Sequence, residues 1–141
     1  MARKSSDHIF GSHTVDNGGI DMAVRRAANA GLSSLQLFTA IPKFYGDKST
    51  IRPERVQRFK AALEEVGFDP AHVVVHSAYV LSVATAEADK WARAAAGLKK
   101  EMERSNTLGV GGVCFHPGSA SDGDPKAAAE RVEEAATLLE R

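Results

Sequence analysis

Two histidines stand directly after short apolar runs. The stretch "HVVVHSAYV" places His76 behind Val73, Val74 and Val75 with Tyr79 three residues on, and "GVCFHPGS" places His116 behind Val113, Cys114 and Phe115. A single histidine at the edge of an apolar run is commonly a hydrogen-bonded core residue. A second copy of the arrangement, again followed by residues that cannot continue a strand, points to a site instead. Neutral imidazole is the commonest side-chain metal ligand, and neighbouring parallel strands lie about 4.8 Å apart. Histidines at two adjacent strand ends can therefore converge on one metal ion. His13 closes an earlier strand-like stretch in the same way and is a further candidate to line the site, whereas His8 and His72 fall at strand starts, on the opposite rim. Cys114, the one cysteine, lies between Val113 and Phe115 with nothing to pair to and is expected to be a buried structural thiol.

The elements that must position these residues follow from periodicity. Short apolar runs alternate with longer amphipathic segments, the pattern of βα units around a parallel sheet. A first strand is predicted near His8 to Ser12, then a helix with Ile20, Ala23, Val24 and Ala27 on one face and Gly31 as a left-handed cap. "SLQLFT", Ser34 to Thr39, reads as the second strand. Pro53 can open a helix that carries Val56, Phe59, Leu63 and Val66 up to Gly67. Val73 to Val75 forms the third strand, followed from about Ala86 by a long helix with Trp91, Ala95, Leu98, Met102 and Leu108 on its apolar face, stopped by Gly109. Val113 to Phe115 is the fourth strand, and Asp124 with Pro125 suits the cap and first turn of a helix bearing Val132, Ala135, Ala136 and Leu139.

The expectation is an α/β chain of four consecutive βα units, one domain over residues 1–141, equivalent to the first half of an eight-stranded barrel. A complete barrel needs about 250 residues, so truncation after the fourth helix is expected. Such a half has two raw sheet edges and an inner face, assigned here to Leu37, Val74 and Cys114, that calls for a missing C-terminal half or a second copy of the chain. An open sheet covered by its own helices is the other architecture the pattern allows.

Composition bounds the function classes. With 141 residues, 43% hydrophobic and 26% charged, the chain can bury a core. Its apolar stretches are much shorter than a membrane span and the start "MARKSSDHIFGS" contains no signal-like segment, so a cytoplasmic protein without membrane association is expected. Eighteen basic residues balance 18 acidic ones, which gives no global attraction to polyanions. Locally, Lys43, Lys48 and Arg52 outnumber Asp47 beside Phe44 and Tyr45. Such a loop is either a solvated connection or a grip on a phosphate backbone with an aromatic side chain for stacking.

Three segments then carry a family resemblance. "GSHTVDNGGIDMAVRRAANAGLSSLQLFT", "VVHSAYVLSVA" and "FHPGS" resemble, in order, the G-x-H-x-S-x-x-G-G, H-x-P-Y-L-I-N-L-A and F-H-P-G-S motifs of endonuclease IV. That family comprises the zinc-dependent apurinic/apyrimidinic endonucleases among the xylose isomerase-like barrels. The resemblance runs along nearly the whole chain. It implies a zinc-dependent hydrolase of DNA repair that cleaves the phosphodiester 5′ to an abasic site. By position, it implies that His76 and His116 are zinc ligands, that Tyr79 lies against bound DNA, and that Lys43 and Tyr45 stand where the family has a duplex-entering arginine and its neighbouring tryptophan.

The sequence also departs from the family. "AIPKFY", Ala40 to Tyr45, replaces K-N-P-R-Q-W, and lysine lacks the planar fork of arginine. Ala78 replaces a proline, Ser82 an asparagine, and Ala120 a histidine found in many members. The bridging glutamate and the remaining ligands belong to strands five to eight, so the chain by itself is expected to lack nuclease activity. Two other readings stay open: a sugar isomerase or epimerase of the same superfamily, favoured by the altered loop, and a half-barrel that self-associates for binding rather than catalysis.

Overall fold

Residues two apart on a strand face the same side of a sheet, and the second strand shows the consequence: Leu35 and Leu37 are buried while Ser34 and Gln36 are only partly covered. The computed structural model describes residues 8–40 and 50–139. In it, β1 (Gly11–His13), β2 (Ser34–Leu37), β3 (Val73–His76) and β4 (Gly112–Cys114) alternate with α1 (Ile20–Asn29), α2 (Pro53–Val66), α3 (Ala88–Leu108) and α4 (Pro125–Leu139). All adjacent strands pair in parallel and the spatial order is β1-β2-β3-β4. The order never reverses, which separates this sheet from doubly wound folds and makes it a sector of a (βα) barrel.

One face of the sheet is packed by helices. Leu35, Leu37, Val73 and Val75 meet Ile20, Ala23, Val24 and Ala27 of α1, Phe59, Ala62 and Leu63 of α2, and Leu108 of α3 in one cluster. Ala23 and Ala27 are fully buried, and their small side chains let α1 approach closely. A second cluster lies beneath the β3 and β4 loops, where Leu81 and Val83 pack on Ala94 and Leu98 of α3 and Ala135 of α4.

Three helices stop by the same device. Gly31, Gly67 and Gly109 have φ of 79°, 67° and 74°. In each case the next residue's N–H bonds a carbonyl five residues back: Leu32 to Ala27 at 2.9 Å, Phe68 to Leu63 at 2.9 Å and Val110 to Ser105 at 3.3 Å. This left-handed cap satisfies otherwise orphaned carbonyls and turns the chain back toward the sheet. At the start of α4, Asp124 Oδ1 accepts the Ala127 N–H at 3.0 Å, and Pro125 opens the helix as expected.

Several expectations need correction. The first strand begins at Gly11 rather than His8, the second ends at Leu37, the third includes His76, the fourth is Gly112–Cys114, and the long helix starts at Ala88. Thr39 lies beyond the ladder, and its hydroxyl bonds Glu101 of α3 at 2.7 Å. Leu37 faces the helices, not the inner side, since it shares parity with buried Leu35. Cys114 is exposed rather than buried: alternation places it on the sheet face opposite the helices, together with Gln36 and Val74. That face borders a concavity of about 400 Å³.

Candidate functional site

The inner parity of the sheet delivers the histidines. His13 pairs in register with Gln36, and Gln36 with Val74, so all three point to the inner side, and two residues beyond Val74 comes His76. His76 is opposite Cys114, and two residues further on comes His116. The rings meet at the C-terminal rim, with centroids of His76 and His116 5.0 Å apart. Tyr79 stands over both, 5.4 Å from His76 and 6.3 Å from His116. Tyr79 is 54% exposed, whereas His76 is buried and His116 open to solvent.

The proton position on His76 is set by its neighbour. Nδ1 lies 2.8 Å from the Ser77 carbonyl oxygen. A carbonyl only accepts, so Nδ1 carries the hydrogen and the neutral ring keeps its lone pair on Nε2. A bond of this kind, on the far side of the ring from the metal, is what orients a ligating histidine. His13 differs. Its Nδ1 lies 3.2 Å from the Gln36 side-chain nitrogen, a donor, which places the ring's own hydrogen on Nε2. Phe38 touches both histidines, 4.9 Å from His13 and 5.5 Å from His76, and also meets Tyr79 edge-on at 5.5 Å. His13 thus lines the site at one remove. Among the described residues no group of three or more His, Cys, Asp or Glu could hold a metal ion.

The loops bearing these residues are tied together from behind. Ser77 N–H bonds the Cys114 carbonyl at 2.8 Å, and Ala84 N–H bonds the Pro117 carbonyl at 2.8 Å, which joins the β3 and β4 loops. Gly118, at φ 104°, is packed so closely on Ser82 that any Cβ would collide with its hydroxyl. Arg131 of α4 donates to the Ala84 carbonyl at 2.9 Å and to Asp122 at 3.1 Å. The Asp124 N–H and then the Arg131 guanidinium hold the Asp122 carboxyl below the ordinary aspartate value.

Lys43 and Tyr45 lie outside the described residues. His8 and His72 are away from the cluster: His8 packs on Phe10, and His72 is 3.9 Å from Asp69. Sequence reasoning missed Phe38, although alternation from Gln36 places it on the inner face. It also missed Glu101, Arg104 and Thr39. Their only signal was two opposite charges one helical turn apart, which ordinarily marks a solvated helix surface.

Fold and strand order together define a sector of a (βα) barrel, and comparisons with known proteins agree. Residues 24–141 match the xylose isomerase-like TIM barrel family, and the chain belongs to that family. A protein named "Probable endonuclease 4" from Geobacter sp. (strain M21) is 32% identical over 117 residues, covering 82% of this chain and 40% of that protein. The crystal structure of endonuclease IV from Thermus thermophilus superposes with a TM-score of 0.72 at 28% identity, over 94% of this chain and 46% of that one. The chain therefore spans less than half the length of these relatives. No helix among the described residues is long and apolar enough to cross a membrane.

Proposed function

We propose that this chain is part of an endonuclease IV-like, metal-dependent phosphodiesterase that acts at abasic sites in DNA. The observation that carries the reading is the approach of the His76 and His116 rings to 5.0 Å at the strand C-terminal rim, with Tyr79 over both. The Ser77 carbonyl supports it by leaving His76 Nε2 free to ligate. A zinc ion would be held by His76 and His116, and it would supply charge stabilisation at the phosphoryl oxygens and a hydroxide near neutral pH. Two imidazoles fit part of a zinc shell. The carboxylates and further ligands are assigned to the barrel half that these residues do not include.

The chain's own residues bind and orient. Tyr79 offers an exposed ring on which a base or sugar can stack. The family resemblance assigns DNA contact to Lys43 and Tyr45, and a lysine there supplies charge without bidentate geometry. Zinc titration tests the reading, with one ion per chain expected and binding weakened in each of His76→Ala and His116→Ala. Undiminished zinc binding in those variants contradicts it. An abasic duplex should stay uncut by the 141-residue chain alone, and robust cleavage by a contaminant-free preparation would refute the assignment of essential ligands elsewhere.

A further inference from the structure

Glu101 and Arg104 are one helical turn apart in α3, and their side chains are only 1% and 4% exposed. A buried ion pair is weak ground for stability, because desolvation opposes its attraction and an apolar pair of similar size often serves as well. What the pair holds explains it better. Glu101 Oε1 accepts the Ala78 N–H at 3.2 Å, and Oε2 accepts the Thr39 hydroxyl at 2.7 Å and the Arg104 guanidinium at 3.0 Å. Arg104 Nε donates to the same Thr39 hydroxyl at 2.9 Å. The hydroxyl thus gives one bond and receives the other, closing a ring of three side chains.

The two backbone segments reached by this ring are those that carry the site. Ala78 lies between His76 and Tyr79. Thr39 follows Phe38, whose ring touches His76 and Tyr79, and precedes the segment that contains Lys43 and Tyr45. A buried carboxylate on a helix behind the rim therefore grips both the β2 loop and the β3 loop. Hydrogen bonds in a low-dielectric setting are strong and directional, and a closed network specifies a unique arrangement.

We propose that Glu101, with Arg104 and Thr39, is a positioning group that sets Tyr79 and Phe38 against His76 and His116. Only the metal arm of the test rests on the function proposed above. The test compares Glu101→Gln, Thr39→Val and Thr39→Ser in the 141-residue chain, with exposed Glu103→Gln as control. Three quantities are read: exchange of the Ala78 amide against those of Val73 and Val75, the nuclear Overhauser contact between the Tyr79 and His76 rings, and zinc affinity.

In Glu101→Gln and Thr39→Val, Ala78 exchange should rise at least about tenfold more than that of the core amides. The ring contact should weaken, and zinc should bind about tenfold less tightly, the scale of loss when the groups supporting a metal ligand are removed. Thr39→Ser, which keeps the hydroxyl, should match the native chain, as should Glu103→Gln. Ala78 exchange rising only in step with Val73 and Val75, or an unchanged ring contact, overturns the proposal in favour of a purely structural pair. If Glu101→Gln does not fold, the Thr39→Val and Thr39→Ser comparison decides alone, and an unfolded Thr39→Val also counts against positioning. A native chain that binds no zinc defeats the metal reading, while the exchange and ring readouts still decide this one.

Discussion

The two faces of the same four strands differ sharply. On the helix side Leu35, Leu37, Val73 and Val75 are sealed among alanines, leucines and Phe59. On the other side Gln36, Val74 and exposed Cys114 border an open concavity that His13 also lines, and His76 and His116 meet where the strands end. Strand alternation alone makes this division. One face supplies the hydrophobic burial that dominates folding, and the other is released from that duty and can hold polar groups at defined spacing. Stability and chemistry are thus carried by alternate residues of one chain segment.

Substitutions on the two faces should separate accordingly. The largest effect is expected from Phe59→Ala, since Phe59 is fully buried. It should cost about 3–5 kcal/mol by urea denaturation, without altering the zinc stoichiometry of molecules that remain folded. Arg104→Ala should cost a similar amount, about 3–5 kcal/mol, by stranding the Glu101 charge. The two can be told apart because Arg104→Lys, which keeps a cation beside Glu101, should recover part of the loss, whereas no polar substitution rescues Phe59. On the open face, Cys114→Ser should move stability by no more than about 0.5 kcal/mol, and Cys114 should react with a thiol reagent in the native chain. A Cys114 that is protected in the native chain would break the comparison.

Acid should produce the smallest effect, at the loop behind the rim. The Asp122 carboxyl is lowered from 3.8 first by the Asp124 N–H and then by Arg131. Its contribution is present above that ordinary value and fades as pH falls through the lower folded value. Native and Asp122→Asn chains should therefore differ in urea midpoint near neutrality and converge in strong acid. A gap that persists in acid would assign Asp122 another role.

Much of this division is legible in the residues themselves. Helical spacing of Ile20, Ala23, Val24 and Ala27 marks the buried face of α1, and Gly31, Gly67 and Gly109 mark helix ends because left-handed φ suits glycine. The pairing of His76 with His116 is legible as two strand ends, and the structure brings the rings together. Facing is harder. Short strands carry little alternation to fix parity: Leu37, expected on the inner face, packs on the helices, whereas Cys114 lies on the inner face as expected but is exposed there rather than buried. The Glu101–Arg104–Thr39 ring is invisible in sequence because Thr39 lies 62 and 65 residues from its two partners. An i, i+3 charge pair looks the same whether it faces water or a loop.

Whether His76 and His116 grasp one cation is tested most directly by X-ray absorption on the zinc-loaded chain. Imidazole scattering from two rings is expected in the native chain, falling to one in His116→Ala with Tyr79 still packed on His76. Zinc held without imidazole scattering, or a spectrum unchanged when both histidines are replaced, would contradict it.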